Sequence, residues 1–127
     1  MAKILTVDDE QDIADVVKLV LELDGHEVKI ETDPSEVAEV AIEWLPDLIL
    51  LDVVMPHMDG YDVLKDIRTR SELKDIPVAF LTSKNKSVDF MMGLHMLKAD
   101  DYITKPFGKK DLSERVQALL ERHGVNE

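Results

Sequence analysis

Two periodicities alternate along the chain. Short apolar runs recur at 4–7, 28–30, 48–51, 78–81 and 102–103, bounded by Gly, Pro or Asp. Runs of this length with such borders predict buried strands. Between them the apolar positions fall at helical spacing. The first helix presents Ile13, Val16, Val17 and Val20 and stops at Asp24-Gly25, where Gly supplies the left-handed residue that ends a helix. The second opens with Asp33-Pro34, a cap followed by proline at the first helical position. It continues through Val37, Val40, Ala41 and Trp44 to Pro46. A third starts near Gly60 and uses Tyr61, Leu64 and Ile67. A fourth covers 84–97, with Val88, Met91, Met92 and His95 on one face. The last carries Leu112, Val116, Leu119 and Leu120 and stops near Gly124.

Strands alternating with helices predict a parallel sheet covered on both faces. The chain is about half as long as an eight-fold βα barrel requires, so an open doubly wound sheet is expected. The pattern predicts one α/β domain over 1–124, a short tail at 125–127, and no effector domain.

Composition narrows the function. The 127 residues hold no Cys, which removes disulfide frameworks, thiol catalysis and Cys-ligated zinc. Net charge is −12, from 15 Lys+Arg against 27 Asp+Glu. Such a chain is a poor binder of nucleic acid, whose phosphates need cations. The acid is uneven: residues 1–83 carry 7 basic and 20 acidic side chains (−13), and residues 84–127 carry 8 and 7 (+1). No stretch resembles a signal peptide or a membrane span, so a cytoplasmic protein is expected.

Ligands of open α/β sheets bind beyond the carboxyl ends of the strands. The predicted strands end in Asp8-Asp9, Asp52, Thr82-Ser83 and Thr104-Lys105-Pro106. Clustered carboxylates either raise a pKa or hold a hard cation. A lysine and a hydroxyl beside them suit a phosphoryl group. Together these groups fit phosphoryl transfer onto an Asp. Spacing alone does not choose the nucleophile; Asp52 is favoured because the third strand is central.

Four segments then carry a resemblance over nearly the whole chain. They are Val7-Asp8-Asp9-Glu10, the stretch from Leu51-Asp52 to Asp59-Gly60, Leu81-Thr82-Ser83, and the stretch from Ala99-Asp100 to Pro106-Phe107. In this order they resemble the receiver domain of two-component response regulators. The resemblance implies a flavodoxin-like five-stranded parallel sheet in the order 2-1-3-4-5. It implies that Asp52 accepts a phosphoryl group from a histidine kinase or histidine phosphotransfer protein. Asp8, Asp9, Asp52 and the backbone carbonyl of Val54 would hold Mg²⁺, with Mn²⁺ as a substitute. Lys105 and Thr82 would contact the phosphoryl group, and Tyr102 would be an aromatic switch behind Thr82.

Such a domain is a signalling switch rather than an enzyme of turnover. The surface formed by the fourth predicted helix, the fifth strand and the fifth helix would meet an effector, a target protein or a second copy. Val54 and Lys84 occupy the positions that tune how long the phosphoryl group survives. An apolar Val54 offers no hydrogen bond to an attacking water, which predicts slow hydrolysis. Lys98 stands where the family usually has a small residue.

Blander readings apply to each residue alone. Asp9 could cap the first helix, Asp52 could start a turn, Thr82 could end a strand, Lys105 could be a surface lysine and Tyr102 a core aromatic. A haloacid dehalogenase-type phosphatase would want a second acid where Val54 stands. A flavin-binding protein would want a phosphate loop where Asp8-Asp9-Glu10 stands. A degenerate receiver would lack some of the polar rim residues present here.

Overall fold

The computed structural model describes residues 2–52, 60–83, 101–105 and 108–124; of 82, 83, 101, 102, 104 and 105 only the backbone is described. Val54, Lys84 and the helix predicted over 84–97 lie outside the described residues.

The strands are β1 (Lys3–Val7), β2 (Glu27–Glu31), β3 (Leu48–Asp52), β4 (Val78–Ser83) and β5 (Asp101–Lys105). Neighbours pair in parallel, in the order β2-β1-β3-β4 that was expected, with the backbone of β5 alongside β4. The central position of β3 explains its composition. All of Leu48, Ile49, Leu50, Leu51 and Asp52 are buried, because a parallel strand covered on both faces has no side for water.

Successive side chains on a strand point to opposite faces, and the two halves of the core follow that parity. Leu5, Val7, Ile49, Leu51, Val78 and Phe80 pack with Val37, Ala38, Ala41, Val63, Leu64, Ile67 and Leu73. Ile4, Leu48, Leu50, Ala79, Leu81 and Ile103 pack with Val17, Val20, Leu21, Leu112, Val116, Leu119 and Leu120. Helices α2 (Val37–Trp44) and α3 (Gly60–Thr69) therefore cover one face, and α1 (Gln11–Leu23) and α4 (Lys109–Arg122) the other. Each large side chain so buried stabilises the fold by roughly 1.5–3 kcal/mol.

The helix ends follow local chemistry, with two departures from expectation. Gly25 has φ +95° and ends α1 as predicted. The Asp33 carboxylate accepts the Ser35 amide at 3.0 Å, but the turn it starts, Pro34–Glu36, is a 3₁₀ turn that precedes α2. Leu45 then takes φ 52°, the only positive φ outside glycine among the described residues. Proline at the next position disfavours the right-handed helical conformation for the residue before it, so Leu45 leaves the helix there.

The second departure concerns α1. Its buried residues are Ala14, Val17, Val20 and Leu21, whereas Val16 is 53% exposed. The spacing had placed Val16 on the core face. Val16, Leu19 and Leu23 instead form an exposed stripe, since residues three and four apart share a face. The apolar arc of α1 is wider than the sheet covers, and periodicity alone does not say which side of it is docked. In α3 the same ambiguity is smaller: Leu64 and Ile67 are buried with Val63, and Tyr61 is half-buried, its ring edge-on to Phe80 at 5.6 Å between centroids. Among the described residues no helix is long and apolar enough to cross a membrane.

Candidate functional site

Parallel pairing puts the carboxyl ends of all the strands on one rim. Val7 pairs with Leu51, so the chain leaving β1 at Asp8 emerges beside Asp52, the last residue of β3. Two backbone contacts hold this exit. The Asp8 amide donates to the Glu31 carbonyl at 3.2 Å, tying it to the end of β2. The Asp8 carboxylate accepts the Glu10 amide at 3.0 Å, the local turn that Asp readily forms.

Asp8 is wholly buried, Asp52 is 5% exposed, and Asp9 is open to solvent. One carboxylate oxygen from each lies within 4.8 Å of the others. The alternative role for Asp9 can be judged directly. The residue at the cap position of α1 is Glu10, whose side chain makes no capping hydrogen bond. Asp9 is thus turned to the acidic cluster rather than to the helix end.

Carboxylates brought this close out of water repel unless a cation or proton intervenes. Oxygens around a Mg²⁺ at about 2.1 Å stand about 3–4 Å apart, so the donor set and its spacing fit a hard divalent ion. One exposed member leaves room for waters and phosphate oxygens, which Mg²⁺ prefers to an all-protein cage.

The remaining predicted residues are placed through backbone register. Asp52 pairs with Leu81, so Thr82 is one residue farther along the neighbouring strand. Thr82 pairs with Thr104, and Ser83 with Lys105. Lys105 therefore ends β5 on the same rim, two strands from Asp52. Tyr102 pairs with Phe80, below the rim. Sequence reasoning missed Thr6, which sits two residues before Asp8 inside a run taken as apolar. It is fully buried, and its hydroxyl has no hydrogen-bond partner among the described residues.

Comparison with known proteins decides what this arrangement belongs to. The family model described as the response regulator receiver domain matches residues 4–117. The chain belongs to the response regulator receiver family. Solved relatives agree in fold over nearly the whole of this receiver. The chemotaxis protein CheY4 of Vibrio cholerae is 32% identical with a TM-score of 0.89, covering 94% of this chain and 99% of that one. The signal receiver domain of a signal transduction histidine kinase from Syntrophus aciditrophicus is 31% identical at a TM-score of 0.88, covering 100% and 96%. In NtrX from Brucella abortus, 28% identical at a TM-score of 0.88, the match covers 98% of this receiver but 28% of that chain. This receiver thus matches nearly the whole of some solved chains and about a quarter of a longer one.

Proposed function

We propose that Asp52 is the phosphoacceptor of this receiver, supplied by a phosphohistidine on a histidine kinase or histidine phosphotransfer protein. The observation that carries the reading is the gathering of the Asp8, Asp9 and Asp52 oxygens within 4.8 Å at the carboxyl rim. A carboxylate oxygen of Asp52 attacks phosphorus while the P–N bond breaks, and the imidazole nitrogen keeps the electron pair. Asp8, itself held by the Glu10 amide, exposed Asp9 and Asp52 would hold a divalent ion together with the Val54 carbonyl. Bound there, Mg²⁺, or Mn²⁺ in its place, would neutralise charge on the transferring group.

Lys105 and Thr82 are proposed to bind the phosphoryl oxygens, and Tyr102 to respond behind Thr82. The phosphoryl group adds charge and acceptor oxygens that these residues satisfy in one arrangement only. It thereby shifts a two-state population. The output surface is assigned to the helix predicted over 84–97, β5 and α4, which with that helix would complete a five-fold βα repeat. It would contact an effector, a target protein or a second copy. Val54 and Lys84 would set the lifetime of the aspartyl phosphate. The strongly acidic charge supports a domain that does not itself bind nucleic acid, and a cytoplasmic location suits exchange with a kinase.

The test is incubation with Mg²⁺ and acetyl phosphate followed by intact mass measurement. A single phosphoryl adduct that disappears in Asp52→Asn is expected. No adduct on the parent, or one that survives in Asp52→Asn, refutes the assignment.

A further inference from the structure

At the opposite end of the sheet a buried histidine holds the start of β1. His26 is 8% exposed and lies between the end of α1 and the start of β2. Its Nδ1 accepts the Ala2 amide at 3.3 Å. A backbone amide can only donate, so this ring nitrogen carries no proton and the hydrogen sits on Nε2. Around this bond the chain is tightly tied. The Glu27 amide donates to the Ala2 carbonyl at 2.8 Å, and the His26 amide donates to the Leu21 carbonyl at 3.1 Å. Ala2 itself is 1% exposed.

We propose that His26 is a proton-operated latch on the amino-terminal end of β1: the neutral ring holds Ala2, and the protonated ring releases it. Protonation turns Nδ1 into a donor aimed at another donor, and the buried imidazolium has lost its bond. The pairing of Lys3 with Glu27, the first of the ladder, then loses the tie that precedes it. The far end of β1 stays anchored by Asp8 on Glu31, so the opening is confined to the edge away from the carboxylate rim.

Surrounding charges act in both directions. Burial holds the ring below the ordinary histidine value and the chain's amino terminus adds to this, while the Asp24 carboxylate at the end of α1 opposes them. Lys3 and Glu27 are the charged neighbours along β1 and β2. A depressed histidine favours the folded state in its neutral form. The contribution is therefore complete above about pH 6.5, the unfolded value, and is lost as pH falls through the lower folded value.

The test uses the full chain with Met1 retained. Ring NMR of His26 is followed from pH 8 to 5, together with amide exchange at Ala2 and Glu27. The expected result is the Nε2–H tautomer at pH 8, titration below 6.5, and at least tenfold loss of protection at both amides as the ring charges. In His26→Asn the side-chain oxygen replaces Nδ1 and cannot take up a proton in this range, so that loss is absent. An Nδ1–H tautomer in the parent, or equal acid sensitivity in parent and His26→Asn, overturns the proposal. The parent's tautomer and titration decide it even if the variant does not fold.

Discussion

Replacing Asp9 by Asn tests the reading of the acidic rim without touching a buried group. Asp9 is the exposed member of the cluster, with an oxygen within 4.8 Å of those of Asp8 and Asp52. Two unit charges at that separation repel by about 0.9 kcal/mol in water and about 3.5 kcal/mol at an effective dielectric near 20. Solvent exposure of Asp9 places the value toward the lower end, about 1 kcal/mol for each of its two partners. In metal-free buffer with EDTA, Asp9→Asn is therefore expected to stabilise the protein by about 2 kcal/mol. For a domain of this size that raises Tm by about 5–10 °C. Magnesium is expected to reverse the ranking. At a hundredfold excess over its Kd the ion adds about 2.7 kcal/mol to a protein that binds it only when folded, and the variant, short of one ligand, gains much less. Urea denaturation of both proteins, each in EDTA and in Mg²⁺, measures all of the terms. A variant no more stable than its parent in EDTA refutes the repulsion argument. Equal gains from Mg²⁺ in both proteins remove Asp9 from the metal site.

Four further outcomes are expected. Thr6→Val replaces a buried hydroxyl that has no hydrogen-bond partner among the described residues with a methyl of similar size and should stabilise by about 1 kcal/mol in denaturant melts; destabilisation would mean that the hydroxyl is satisfied. Leu21→Ala, in the core, should cost about 2–5 kcal/mol, whereas Leu19→Ala, on the exposed stripe, should stay within about 0.5 kcal/mol; similar losses from the two would reverse the facing of α1. Leu45→Gly should relieve the left-handed φ of 52° and leave stability unchanged or raised by up to about 1 kcal/mol in thermal melts, a marked loss arguing against that strain. Val54→Asn should shorten the life of the aspartyl phosphate by offering a hydrogen bond to water, and equal or slower loss of the mass adduct would count against that role.

Much of the architecture was legible because it rests on short-range rules. The apolar runs marked the cores of all the described strands. Gly25 marked the end of α1 and Asp33 the turn that leads into α2, by mechanisms that act within a few residues. The uses of individual residues were less legible. Nothing local distinguishes Val16 from Val17 on α1, because the choice depends on how the helix is rotated against the sheet. No local pattern marks His26 as buried; the start of β1 covers it only in the folded chain, and Asp9 reads as a helix cap until Asp8 is seen to take the Glu10 amide.

The sequence by itself determined that strands and helices alternate, that acidic residues fall at strand ends, and that their order resembles a receiver. Those properties follow from side-chain period and turn chemistry, which are written along the chain. The tertiary structure decided that Asp8, Asp9 and Asp52 share a space of 4.8 Å, and which of them faces water. Residues more than forty positions apart meet only because β1 and β3 pair in one register, Val7 beside Leu51. A slip of a single residue would turn Asp52 to the other face of the sheet.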